Sequence, residues 1–146
     1  MMRKRDEQGQ TLVEFAFVLP IFLLLMVSIF DLGHVVWSND ALSNAAREGA
    51  RYAIVHGVNS GAPATKQQVK NVAIGWAASA GTNVSVTVCY WSVSQCSGDV
   101  DEANATQDRG MKVTVTVTAN VPLAAPSLFG FGAFNLSSTS TMLVNF

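Results

Sequence analysis

The chain has 146 residues and a formal net charge of −1, and 49% of its residues are hydrophobic whereas only 13% are charged. Its length corresponds to a single domain. The sparse and nearly balanced charge gives no electrostatic footprint for nucleic acid, so we expect no nucleic-acid partner. The high apolar fraction comes largely from one segment near the N-terminus.

This segment is an apolar run from Leu12 to Phe30 that follows a short basic head. As an α-helix it would span about 28 Å, close to the ~30 Å hydrocarbon core of a membrane. Arg3, Lys4 and Arg5 precede the run, and the positive-inside rule would keep this end in the cytoplasm and export the rest. The pattern therefore predicts a transmembrane helix over residues 10–37.

One carboxylate, that of Glu14, lies inside the run, five residues after Gly9. An ionisable group within a membrane is costly and by default marks a functional site that needs a partner. Cleavage after Gly9 would supply one, because it would free the α-amine of Gln10. An uncleaved anchor fits the length of the run but does not explain Glu14. A secretory signal peptide would have a shorter apolar region and a small-residue cleavage site.

The helical pattern continues past the run, and residues 38–56 are expected to be its exported continuation, with Gly57 as the stop. Pro20 removes a backbone hydrogen bond and is expected to kink or loosen this helix. Ala45, Gly49 and Ala53 form a stripe of small residues that lets another backbone approach closely. That backbone could belong to the chain's own sheet or to another subunit.

The exported part, residues 57–146, has the pattern of an α+β domain. A capping box at Thr65–Gln68 predicts a helix that ends at Gly81. Alternating apolar and polar residues then predict strands over 84–90 and 113–118, and a final strand over 136–146. The expected fold is α+β, in which a long N-terminal transmembrane helix continues into a small antiparallel β-sheet domain with one further helix.

Two cysteines, Cys89 and Cys96, fall in the exported part, where an oxidising compartment permits a disulfide between them; two free thiols are the alternative. Their spacing, without a nearby histidine, is a poor metal site. Neither His34 nor His56 has a neighbouring nucleophile motif. We therefore expect no enzyme, no cofactor and no bound metal.

Acidic residues are concentrated between the predicted strand that contains Cys89 and the Val/Thr-rich strand that follows it. Asp99 and Asp101 begin like a calcium-binding loop, but the central Gly and terminal Glu of such a loop are missing. With Glu102 and Asp108, they are expected to form a solvated polar loop.

Three segments together carry a family resemblance: GQTLVEFAFVLP (9–20), DLG (31–33) and AAREGAR (45–51). The chain resembles the TadE-like family of pilin-like pseudopilins, which belong to tight-adherence (Tad, or Flp) pilus systems. The resemblance implies that residues 1–9 are a class III leader, which a prepilin peptidase removes between Gly9 and Gln10. It also implies a long helix packed on a small sheet, and an assembly role for Glu14.

The resemblance further implies a single-pass protein of the bacterial inner membrane that acts in pilus assembly and adhesion, as a minor subunit. Its partners would be the peptidase, other pilin-like subunits, the Tad assembly machinery and membrane lipid. One alternative is a membrane-anchored periplasmic binding or scaffold domain that is neither cleaved nor polymerised. The other is a secreted soluble protein.

Overall fold

The computed structural model describes residues 3–93, 98–101, 109–128, 130 and 132–145. Its secondary structure is α+β, which confirms the predicted fold class. In chain order the elements are α1 (Arg3–Val55), a single 3-10 turn (Val58–Ser60), α2 (Lys66–Ala77), β1 (Thr82–Trp91), β2 (Lys112–Val121), α3 (Ala124–Leu128) and β3 (Phe134–Leu143).

The three strands form one antiparallel sheet in the order β1-β2-β3. The register pairs Val88 with Val115, and Val115 with Ser140. Because side chains alternate between the faces of a strand, the valines of β1 and β2 lie on one face and form the core. The buried residues of these two strands that join this core are Val86, Val88, Tyr90, Val113, Val115, Val117 and Ala119.

Two helices cover this face of the sheet. The C-terminal half of α1 packs against β2 and β3, whereas α2 packs mainly against α1 and β1. The buried face of α1 carries Leu42 and a series of alanines, which let its backbone lie close to the sheet. α2 begins with the predicted capping box: the Thr65 side chain accepts a hydrogen bond from the Gln68 backbone, and the Gln68 side chain accepts one from Thr65 N at 2.8 Å.

Several boundaries differ from those predicted. α2 ends at Ala77, where a turn closed by Ala80 N and Ala77 O replaces the expected extension to Gly81. β3 spans Phe134–Leu143 because it pairs with β2 along its whole length, from Val121 to Lys112. α3 was not predicted: it has only five residues, one of them Pro126.

Candidate functional site

The N-terminal half of α1 is exposed along its most apolar stretch. None of the most apolar 18-residue window of this helix is buried within the protein, and residues 11–23 are all exposed. In the part of the chain that the structure describes, α1 is the one helix long and apolar enough to cross a membrane. Each Å² of apolar surface left in water costs about 25 cal/mol, so this half of α1 favours lipid or other helices over water.

Burial within the protein begins further along the same helix. Ser38 is the first fully buried residue of α1, and Leu42, Ala46 and Ala50 follow on the same side. One continuous helix therefore has an apolar exposed half and a half that forms part of the domain core. The end of the membrane segment at residue 37 stays a prediction.

Gln10 and Glu14 lie one helical turn apart on the exposed half. Gln10 Nε2 donates to Glu14 Oε1 over 3.5 Å, which is long for a hydrogen bond of this type. An amide is neutral, so this contact leaves the charge of the carboxylate uncompensated. Glu14 forms no ion pair with any side chain that the structure describes. The peptide bond between Gly9 and Gln10 lies within α1, which runs on without a break from Arg3.

Two polar features occur inside the apolar run. Ser28 Oγ donates to the Leu24 carbonyl over 2.8 Å, so its hydroxyl is satisfied by its own helix. Pro20 has no N–H to donate to the carbonyl of Ala16, yet α1 is continuous through this position. The proline therefore does not break the helix into two.

The stripe of small residues faces the chain's own domain. Ala45 and Ala53 are buried. A Cβ added to Gly49 would lie 3.0 Å from Ala73 Cβ and 3.2 Å from Val115 Cγ1. α2 and β2 thus already occupy the space beside the stripe, and the packing seen here is intramolecular.

Asp31 joins the end of the apolar run to a distant part of the chain. Its two carboxylate oxygens accept hydrogen bonds from the backbone N–H groups of Ala124, at 3.0 Å, and Ala125, at 2.6 Å. These are the first two residues of α3, whose N–H groups have no partner inside the helix. A carboxylate is favoured at a helix N-terminus because it both accepts these bonds and meets the positive end of the helix dipole. Asp31 therefore fixes α3 to α1.

An apolar groove of about 300 Å³ lies beside this contact. α1 forms one wall, through residues from Ser28 to Val35. Leu123, Pro126 and Phe134 form the other wall, from the segment that contains α3 and the start of β3. The groove thus lies where the apolar run ends and the domain begins.

Residues 9–51 match the sequence family described as TadE-like protein. The similarity covers less than a third of the chain, and we refer to residues 9–51 as the TadE-like segment. Comparison with curated proteins and with solved structures returns no significant match. The match to the family confirms the resemblance that the N-terminal motifs indicated.

The TadE-like segment lies entirely within α1 and includes Glu14, Pro20, Asp31 and Gly49. Its first part is the exposed apolar half of the helix, and its last part packs in the core. The sheet and the two shorter helices lie outside the matched residues, so their arrangement is known from the structure alone.

Sequence patterns assigned no role to Asp31 beyond its place in the DLG motif of the TadE-like segment. Its partners are backbone N–H groups more than ninety residues away, and no local sequence pattern indicates them. One signal was available: a carboxylate directly after a long apolar run is costly unless something binds it. That signal identifies the residue but not its partner.

Asp99 and Asp101, which lie outside the TadE-like segment, are exposed and partly exposed, respectively, and they have specific partners that the prediction of a solvated polar loop did not include. Asp99 Oδ1 accepts from Val88 N, and Asp101 Oδ1 accepts from Tyr90 N, both at 2.8 Å. On an edge strand, every second backbone N–H group points away from the sheet and has no strand partner. Asp99 and Asp101 are two residues apart, so their carboxylates can bind two successive outward N–H groups of β1. Glu102 and Asp108 lie outside the described residues.

Two lysines of α2 hold these carboxylates in place. Lys66 Nζ lies 2.7 Å from Asp101 Oδ2 and also donates to the Asp99 carbonyl, while Lys70 pairs with Asp99. Burial raises the pKa of Asp99, but hydrogen bonds from Lys70 and Val88, with the charges of both lysines, outweigh it and lower the pKa below its usual value. Burial, together with the charge of Asp101, raises the pKa of Tyr90 to about 12.

The remaining predicted residues are placed as follows. Cys89 is buried in β1, and its predicted disulfide partner, Cys96, lies outside the described residues, so the disulfide stays a prediction. His56 stacks on Tyr52, with ring centroids 4.2 Å apart, and His34 lies edge-on to Trp37. Among the described residues, no group of His, Cys, Asp or Glu could hold a metal ion.

Proposed function

We propose that this protein is a pilin-like structural subunit, a minor pseudopilin of a Tad/Flp-type pilus, and not an enzyme. The observation that carries the proposal is the division of α1. One half forms the core of a small domain, and the other half presents an unburied apolar surface. TadE-like proteins are associated with the Tad pilus, which supports this reading of the helix.

The subunit is inserted in the inner membrane with its N-terminus in the cytoplasm and its sheet domain exported. The three basic residues of the head, on the N-terminal side of the apolar run, support this orientation. A prepilin peptidase then cuts between Gly9 and Gln10 on the cytoplasmic side. The mature subunit joins other pilin-like subunits and the Tad assembly machinery, and it contributes to adhesion through the assembled pilus.

Glu14 sets the register between neighbouring subunits. In lipid its charge costs a few kcal/mol unless a cation lies close to it. The Gln10 side chain cannot meet this need because it is neutral, but the α-amine that cleavage creates on Gln10 can. In a neighbouring helix shifted by four residues, about 6 Å along the axis, that amine comes level with Glu14.

Processing is tested by the intact mass and N-terminal sequence of the protein from native membranes and from sheared surface material. A chain that begins at Gln10 in both fractions supports the proposal. A chain that keeps Met1 or Met2 contradicts it and favours an uncleaved, membrane-anchored periplasmic domain. A soluble mature chain that begins near residue 40 would favour a secreted protein.

The role of Glu14 is tested by Glu14→Ala, with Val13→Ala as the matched control in the same turn. We expect Glu14→Ala to reach the membrane fraction in normal amount but to be depleted from sheared pili at least tenfold. Val13→Ala, which removes only apolar surface, should assemble normally. Normal assembly of Glu14→Ala would refute the register role.

A further inference from the structure

We propose that residues 123–128, together with Phe134, form a second membrane contact, which lies on the outer leaflet of the membrane that α1 spans. Its exposed apolar side chains contact lipid, and the groove between it and α1 takes part of a lipid acyl chain. This inference rests on the membrane insertion of α1 proposed above and adds a lipid-binding surface in the exported domain.

The first support is the position of Asp31. It directly follows Phe30, the last residue of the apolar run, and it binds the first two backbone N–H groups of α3. The N-terminus of α3 is therefore held within hydrogen-bonding distance of the point where the apolar run of α1 ends. The headgroup region on each side of the hydrocarbon core is roughly 5–7 Å thick, and five helical residues extend about 7 Å. α3 therefore stays within about the depth of that region.

The second support is the placement of Leu123, Ala125 and Phe134, which all line the groove beside α1. Ser28, which lies within the apolar run, and Asp31 line the groove as well. The described residues of this surface thus lie at the level where the apolar run ends.

The third support is the chemistry of the exposed side chains. Leu128 is 73% exposed and Phe134 is 52% exposed, so two large apolar groups lie on the surface close to the predicted membrane. Residues 113–146 contain no Asp, Glu, Lys or Arg. A surface that enters the interface favours apolar and aromatic groups and penalises charges, so this composition fits a lipid surface. A second copy of the chain is the competing occupant, and the experiment below separates the two.

The test uses the full chain in liposomes of phosphatidylethanolamine and phosphatidylglycerol, with the photoreactive residue benzoylphenylalanine at one position at a time. Position 128 tests the proposal, and position 22, which is in the middle of the apolar run, reports insertion of α1. Position 143 is the matched control: Leu143 is 46% exposed and lies at the other end of β3, about 30 Å from Phe134 along the strand. Crosslinked products are identified by intact mass.

We expect lipid adducts from positions 22 and 128, with the yield at 143 at least fivefold lower than at 128. Adducts at 22 but not at 128, or at 128 and 143 alike, would overturn the proposal while leaving the insertion of α1 intact. Crosslinks from 128 to a second copy in place of lipid would also overturn it. Absence of lipid adducts at position 22 would overturn both this inference and the membrane insertion that underlies it.

Discussion

Asp31 Oδ2 lies 2.6 Å from the backbone nitrogen of Ala125, although 94 residues separate the two in the chain. This bond, with its companion to Ala124, ties the end of the apolar run to the connection between β2 and β3. It is one of the contacts that hold α3 against α1, together with the packing of the buried Ala125.

Asp31→Ala should release α3 from α1. Loss of a helix N-cap typically costs about 1 kcal/mol, and here two backbone N–H groups lose their acceptor. We expect amide hydrogen exchange at Ala124 and Ala125 to become about fivefold faster or more in the detergent-solubilised protein. Asp40→Ala, which removes an exposed carboxylate from the same helix, is the control and should leave these amides unchanged. Equal exchange in both variants would show that α3 is held by other contacts.

Gly49→Ala should destabilise the domain. The added Cβ would lie 3.0 Å from Ala73 Cβ and 3.2 Å from Val115 Cγ1, and both of these residues are fully buried in the core. Overpacking of this kind costs about 1–3 kcal/mol in stability. Replacing glycine with alanine in a helix gains about 1 kcal/mol in helix propensity, so the substitution is destabilising only if the clash is not relieved. Because the clashing atom is attached directly to the α2 backbone, we expect a net loss of about 1 kcal/mol in the free energy of unfolding.

The control for this substitution is Gly75→Ala in α2. No atom lies within 4 Å of the Cβ position at Gly75, so only the gain in helix propensity remains. Thermal unfolding followed by circular dichroism should therefore show a lower midpoint for Gly49→Ala and an equal or higher one for Gly75→Ala. The opposite order would mean that α1 and α2 separate readily at the stripe.

The carboxylate of Asp99, which is bound at the edge of β1, predicts sensitivity to acid. The folded-state pKa of Asp99 is lowered, so its contribution to stability is fully present above the unfolded pKa of about 3.9. That contribution is lost as the pH falls from about 4 through the lower folded pKa. Asp99→Asn should be less stable than the wild type at pH 7, and the two should converge below pH 4. Unfolding midpoints measured between pH 2 and 7 check this, and parallel curves would count against the ion pair.

Ser38→Ala should be neutral or slightly stabilising. The Ser38 hydroxyl is fully buried and makes no hydrogen bond to any described residue. A buried polar group without a partner costs about 1–3 kcal/mol, and alanine removes it while leaving only a small void. We expect an increase of up to about 1 kcal/mol in the free energy of unfolding from chemical denaturation. A decrease of similar size would show that the hydroxyl has a bound water as partner.

Local patterns accounted for much of this fold. The capping box at Thr65 and Gln68 places the start of α2 because its two hydrogen bonds join residues only three apart. The alternation in β1 and β2 identifies the core-facing valines because the period of a strand is fixed by its geometry. Glu14 could be identified from the sequence because it is the one charged residue in the apolar run, and Gly9 could be identified from its spacing to Glu14.

The contacts of Asp31, Asp99 and Asp101 could not be predicted in the same way. Each of these carboxylates binds backbone N–H groups, which every residue except proline possesses, so the sequence around the partner carries no mark. α3 is too short for a helical periodicity to be visible and contains a proline. These features follow from how the chain returns to the end of the apolar run, which is a property of the whole fold.

The continuity of α1 has a mechanical consequence. The half of α1 that is proposed to lie in lipid and the half that supports the sheet belong to one continuous helix, with no linker between them. A pull or a rotation applied to the N-terminal end is therefore delivered directly to the core beneath β2 and β3. The most compliant point along this helix is the turn before Pro20, where one backbone bond is absent. If the subunit is drawn out of a membrane, as the proposed function requires, the domain follows the helix directly, and bending of the helix is concentrated near Pro20 in its apolar half.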